Sequence, residues 1–196
     1  IMGIAPFVEI MPLRVLDENG IGTYSNIAQA IVDATNQGAQ IINLSLGGSN
    51  DSNILRSAIE YALAHDVYVV AAVGNSGQSA PLYPARYTDV IAVGSVNSDG
   101  VISSFSNRSE DSLAPGEGIL VPYLEDSYIY SSGTSLAAPH VTGGIALELA
   151  LGHNPIIDGG IINLGTDNSE LTPTPEPILD NGETTSGSES ESVEAL

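Results

Sequence analysis

Two hydrophobic rhythms alternate along the first 150 residues. Apolar side chains at Ile27, Ala30, Ile31 and Ala34 repeat at helical spacing, which predicts a helix over residues 25–37 closed by Gly38. The same spacing at Ile54, Leu55, Ala58, Ile59 and Leu63 predicts a second helix over 52–64. Stretches that are apolar at nearly every position lie at 41–46, 67–73 and 90–96, and a further strand is expected over 8–16. A continuous β-branched run is what a parallel strand covered on both faces requires. Loops and short strands follow to Tyr130, and a third helix is expected over 135–151. Strands and helices alternating in this way predict an α/β fold, with a parallel sheet and crossover helices. In such sheets ligands gather beyond the carboxyl ends of the strands, which singles out the loops at 47–51 and 74–77.

The rhythm stops near residue 164. Residues 1–164 read as one globular domain and 165–196 as an acidic tail, with Thr-Pro-Thr-Pro-Glu-Pro at 172–177 and Ser-Gly-Ser-Glu-Ser-Glu-Ser at 186–192. Such composition buries too little apolar surface to offset the entropy of ordering it. Two readings stand side by side: a disordered tail, or a linker to a further domain beyond it. The chain opens at Ile1 inside an apolar stretch and shows no signal peptide, so it reads as an internal piece of a longer protein.

Charge narrows the partners. Four Arg and no Lys face 24 Asp and Glu, for a net charge of −20. No basic patch can neutralise phosphates, which argues against nucleic acid and against anionic membrane surfaces. No apolar run approaches the ~20 residues of a membrane helix. The absence of Cys excludes a disulfide framework and a thiolate metal site. The acidity is compatible with a salty or extracellular setting.

Three segments carry chemistry. In Ser132-Gly133-Thr134-Ser135-Leu136-Ala137-Ala138-Pro139-His140-Val141, a serine opens a helix rich in small residues. Partial positive charge and free N–H groups at a helix start suit a nucleophile whose attack creates an oxyanion. Taken alone, a serine there is more often a simple cap. In Val70-Ala71-Ala72-Val73-Gly74-Asn75-Ser76-Gly77, an Asn on a glycine-flanked loop can aim its amide N–H at developing negative charge, although turns hold Asn for local reasons too. In Ile42-Asn43-Leu44-Ser45-Leu46-Gly47-Gly48, a strand ends in two glycines, leaving backbone groups able to pair with an extended peptide.

In this order and at these separations, the three segments resemble those of the subtilisin-like serine proteases, the subtilases. The resemblance covers about residues 1–155 and extends to Gly3-Ile4-Ala5-Pro6, Tyr83-Pro84-Ala85, Val90-Ile91-Ala92-Val93-Gly94, Phe105-Ser106 and Ala114-Pro115-Gly116. It implies a three-layer α/β fold lacking its amino-terminal part. It implies a serine endopeptidase in which Ser135 attacks the scissile carbonyl and Asn75, with the Ser135 backbone N–H, holds the oxyanion. Ser45, Leu46 and Gly47 would form one wall of the pocket for the residue before the cut, and Ala72, Val73 and Gly74 the other. Gly20, Ile21 and Gly22 would pair antiparallel with the substrate, and Tyr24 would border the pocket further along. The main-chain carbonyls of Ala85, Tyr87 and Val90 would hold a weak structural Ca2+ or Na+, with no cofactor required for the chemistry. The implied partner is a protein or peptide substrate, and the implied setting is secreted or periplasmic.

A serine nucleophile needs a general base and an acid to orient it. In subtilases both precede the segment that Gly3-Ile4-Ala5-Pro6 matches. His65, His140 and His153 lack the expected motif context and read as structural, so the 196 residues alone are expected to be inactive. The competing reading is a non-catalytic relative that binds peptide or serves a structural role. No Gly-x-Ser-x-Gly elbow and no G-x-G-x-x-G turn is present, which excludes an α/β-hydrolase and a dinucleotide-binding domain.

Overall fold

The first two helices begin where a short side chain can hold a free N–H. Thr23 caps α1 (Tyr24–Asn36) by accepting from the Asn26 N–H, and Ser52 caps α2 (Asn53–Leu63) through the Leu55 N–H. Gly38 follows α1 with φ +84°, a left-handed turn that ends the helix. The computed structural model describes residues 3–108, 112–155, 157–158, 161–162 and 192–196. In chain order the remaining elements are β1 (Ile21–Thr23), β2 (Ile41–Leu44), β3 (Leu46–Gly47), β4 (Tyr68–Ala72), β5 (Ile91–Val96), β6 (Ser112–Pro115), β7 (Ile119–Pro122), β8 (Tyr128–Ser131), α3 (Thr134–Ala150), β9 (Ile157–Asp158), β10 (Ile161–Ile162) and β11 (Ser192–Ala195).

Strands β2, β4, β5 and β6 form a wholly parallel sheet in the order β2-β4-β5-β6. Alternation along β4 and the residue after it divides the core. Val69, Ala71 and Val73 face a cluster built from α1 and α2, including Ile27, Ile31, Leu55 and Ile59. Val70 and Ala72 face a second cluster with Ala137, Ala138, Val141 and Ile145 of α3. The result is three layers, as a sheet apolar on both faces dictates. No helix among the described residues is long and apolar enough to cross a membrane.

Two expectations are corrected. The strand over residues 8–16 does not form: residues 9–15 take no regular structure, and Phe7 and Ile10 are 98% and 82% exposed. A strand is stabilised by a ladder partner, and among the described residues this segment has none. The acidic tail is not featureless throughout either. Its last residues form β11, which pairs antiparallel with β1 on one side and β3 on the other. Ser192–Ala195 has little intrinsic reason to be a strand; two neighbouring edges supply its ladders. The reading of the tail between residues 163 and 191 lies outside the described residues.

Candidate active site

Strand β4 delivers Asn75 and α3 delivers Ser135 to the same end of the sheet. Gly74 makes the turn between β4 and Asn75 with φ +109°, and a Cβ there would lie 2.5 Å from Asn107 Nδ2, so the position demands glycine. The Asn75 side chain is fixed from one side. The Thr134 N–H and hydroxyl donate to Asn75 Oδ1 at 2.8 and 2.9 Å, and the Gly74 N–H donates to Thr134 Oγ1 at 3.2 Å. Because Oδ1 is the acceptor of a backbone N–H, the amide orientation is determined and Nδ2 points away with its donors free of Thr134.

Where Nδ2 points is shown by Gly133. The position a Cβ on Gly133 would take lies 3.2 Å from Asn75 Nδ2, 3.8 Å from the Ser135 backbone N and 3.8 Å from the Leu196 carbonyl oxygen. Two donors and one acceptor thus surround a single small volume. Ser135 is the second residue of α3, so its N–H has no helical carbonyl four residues earlier to bond. The helix start adds partial positive charge at that place. The Ser135 hydroxyl is buried and has no hydrogen-bond partner among the described residues.

Two further networks hold this arrangement. Ser45 donates to the Ser135 carbonyl at 3.0 Å and accepts from Asn43 Nδ2 at 3.0 Å, while Thr142 of α3 donates to Asn43 Oδ1 at 2.9 Å. The loop bearing Asn75 is held by Asn107, which is 1% exposed. Asn107 Nδ2 donates to the Val73 carbonyl at 3.0 Å, and its Oδ1 accepts from the Ser76 and Gln78 N–H groups at 3.1 and 2.9 Å. Sequence reading did not single out Asn107; its position directly after the matched Phe105-Ser106 was the available signal.

The segments expected to form the pocket walls lie along β11. Ile21, Gly22 and Thr23 pair with Glu194, Val193 and Ser192, and Gly47 and Leu46 pair with Glu194 and Ala195. The Gly20 carbonyl accepts from the Ala195 N–H at 2.9 Å, and the Ser45 carbonyl from the Leu196 N–H at 3.4 Å. Tyr24 is buried, its hydroxyl donating to the Asn50 carbonyl at 2.7 Å, and it shares a core cluster with Val193. Ala72, the last residue of β4, and Val73 and Gly74, between β4 and Asn75, are buried.

The three histidines are engaged elsewhere. His65 Nδ1 lies 2.7 Å from the Tyr61 carbonyl, His140 Nδ1 2.7 Å from the Leu136 carbonyl, and His153 Nδ1 2.9 Å from the buried Glu148 carboxylate. Ala85, Tyr87 and Val90 are buried in one turn, where the Tyr87 carbonyl already accepts from the Val90 N–H at 3.3 Å. Arg86 reaches over the Tyr83 ring at 5.6 Å. A cavity of about 1050 Å3 opens beside this turn, against Tyr68, Tyr87 and Asp89. No group of three His, Cys, Asp or Glu among the described residues could hold a metal ion.

Comparison with known proteins identifies the family. Residues 1–157 match the sequence model of the Subtilase family. The chain is 46% identical over 158 residues to the thermophilic serine proteinase of Bacillus sp. (strain AK1), covering 80% of this chain and 39% of that protein. It is 42% identical to subtilisin DY of Bacillus licheniformis over 76% of this chain and 57% of the relative. It is 43% identical to thermitase of Thermoactinomyces vulgaris, over 79% and 56%. The solved structure of the prenylagaramide maturation protease PagA superposes with a TM-score of 0.62 at 32% identity, covering 67% of this chain and 52% of that one. The chain thus spans about half the length of the relatives it matches, or less.

Proposed function

The chain belongs to the subtilase family, and from that premise we propose a serine endopeptidase that cleaves peptide bonds through an acyl-enzyme on Ser135. In this reading the Ser135 oxygen attacks the scissile carbonyl carbon, and the carbonyl oxygen takes the negative charge. Asn75 Nδ2 and the Ser135 N–H donate to that oxygen, and the α3 start adds its dipole. Gly20, Ile21 and Gly22 on one side, and Ser45, Leu46 and Gly47 on the other, hold the substrate as an added strand; Tyr24, Ala72, Val73 and Gly74 line its side-chain pockets.

The observation that carries the reading is the shared volume around Gly133. Asn75 is pinned through Oδ1, and its amide nitrogen and the unbonded Ser135 N lie 3.2 and 3.8 Å from one point beside Gly133, which supports a shared role for them. The proton of Ser135 needs a base, and each histidine of the 196 residues is bonded elsewhere. We therefore expect these residues alone to be inactive, with the base and its orienting acid supplied by chain outside them. Carbonyls of Ala85, Tyr87 and Val90 would hold a structural Ca2+ or Na+; no step of the chemistry uses it. We further propose a protein or peptide substrate and a secreted or periplasmic setting.

A fluorophosphonate probe on protein carrying the complete triad tests this. Labelling should fall on Ser135 and vanish in Ser135→Ala, and equal labelling of both proteins would refute the assignment. The peptide-pairing groove also fits a non-catalytic peptide-binding relative. That second reading gains if the wild-type protein binds peptides in the groove and its serine stays unlabelled.

A further inference from the structure

Strands β1 and β3 do not pair with each other; each pairs with β11, in the order β1-β11-β3. The groove proposed above for a substrate is therefore filled by the chain's own residues Ser192–Leu196. Backbone pairing runs along both edges, from Ser192 opposite Thr23 to Leu196 at the Ser45 carbonyl. Side chains engage at two points. Val193 is completely buried, beside Tyr24 and within reach of Gly48, where an added Cβ would lie 3.3 Å from its Cγ1. Leu196 packs against the cluster that holds Val70, Ala72, Ala137 and Ala138, and a Cβ on Gly47 would lie 3.0 Å from its Cδ1.

The composition of the segment matches this placement. After Leu179 the tail has two large apolar residues, Val193 and Leu196, and these are the two that enter pockets. Glu194 and Ser192, between and before them, stay exposed. The Leu196 carbonyl oxygen lies 3.8 Å from the position a Cβ on Gly133 would take, the point that also has Asn75 Nδ2 at 3.2 Å and the Ser135 N at 3.8 Å. Leu196 thus ends the segment near the start of α3, with Val193 three residues before it.

We propose that residues Ser192–Leu196 are a ligand of this chain's own groove, so that the protein masks its peptide-binding site in cis. The inference rests on the groove being a peptide site. It goes beyond that reading by naming the occupant and the side-chain pattern it presents, a small β-branched residue and a leucine three positions apart. Covalent connection keeps the segment at an effective concentration on the order of 1 mM; if the strand binds with a Kd on the order of 0.1 mM, an added competitor is weakened about tenfold. Like charge works against the contact, because an acidic segment approaches a protein of net charge −20. Added salt therefore tightens the mask.

The test uses the full 196-residue chain and the variant Val193→Asp/Leu196→Asp, whose substitutions lie in the tail, outside the parallel sheet β2-β4-β5-β6. A fluorophore-labelled Ser-Val-Glu-Ala-Leu peptide is titrated by anisotropy, and amide hydrogen exchange is followed over residues 20–23 and 45–48. The variant should bind the peptide at least tenfold more tightly than the wild-type chain. Its exchange at 20–23 and 45–48 should be faster than wild type, and slowed again by the peptide. Equal binding by both chains would overturn the masking while leaving the peptide groove in place. No binding by the variant, with exchange unchanged, would overturn both the masking and the groove, independently of any labelling of Ser135.

Discussion

The Ser45 hydroxyl donates to the Ser135 carbonyl at 3.0 Å, and Pro139 explains why that oxygen is available. Inside α3 the partner of this carbonyl would be the N–H four residues on, and proline has none. The segment between β2 and β3 thus supplies the bond that the helix cannot, joining Ser45 to the backbone of Ser135.

This link predicts non-additivity. Ser45→Ala should cost about 1 kcal/mol of stability next to Pro139, where it leaves the Ser135 carbonyl short of a donor. In a Pro139→Ala background, where the helix provides its own donor, the same change should cost much less. Urea unfolding of the four proteins of the cycle measures the coupling, and purely additive costs would dissolve the proposed dependence.

Thr134 holds Asn75 by its backbone and its hydroxyl, and the two residues should separate kinetically. In protein carrying a complete triad, Asn75→Ala is expected to lower kcat by about 100-fold or more with KM nearly unchanged. Thr134→Val keeps the backbone bond to Asn75 but loses the hydroxyl's bond to it and strands the Gly74 N–H, so its kcat should fall by about tenfold, less than in Asn75→Ala. Steady-state kinetics on a peptide substrate decide it; a larger effect on KM than on kcat would point to substrate binding instead.

Asn107 satisfies three backbone groups of the Asn75 loop from a buried position. Asn107→Leu should strand the Val73 carbonyl and the Ser76 and Gln78 N–H groups, at a cost of at least about 2 kcal/mol. Asn107→Asp keeps the acceptor for the two N–H groups and loses the donor to Val73, so it should fall between the wild type and Asn107→Leu at neutral pH. Denaturant midpoints rank the three proteins, and an unchanged Asn107→Leu midpoint would show that the loop holds without it.

Alkali should weaken the fold through buried phenols. Burial is the main cause pushing both Tyr24 and Tyr87 above the ordinary tyrosine range; for Tyr87 the neighbouring Asp51 adds to it. A group whose pKa is raised by folding stabilises fully below its unfolded pKa. That stability is lost as pH rises, since the unfolded chain ionises first. Stability should fall as pH climbs past about 10, with Tyr87→Phe flattening the decline. Urea midpoints across this range test it, and a pH-independent wild type would count against these buried phenols.

The helices and the parallel sheet could be read from the chain because their causes are local. The Thr23 and Ser52 caps, the glycine after α1 and the continuous apolar run of β4 each specify their element without knowledge of the rest. Residues 8–16 depart from the expected strand for the converse reason: an apolar stretch does not reveal whether a neighbouring strand exists to pair with it. The juxtaposition of Ser135 and Asn75 could be anticipated through motif resemblance, since hydropathy says nothing of two loops meeting. The place of Asn107 depends on bonds to residues about thirty positions earlier, and that of β11 on two edges far from it in sequence, so no local pattern announces either.

Helix α3 presents Ser135 at its mouth and sinks Ala137, Ala138, Val141 and Ile145 into the sheet. The serine is therefore aimed by the same grip that anchors the helix. In protein carrying the complete triad, trimming Ile145 to valine should first show itself as misalignment of the hydroxyl, a fading of turnover on warming well before the protein melts.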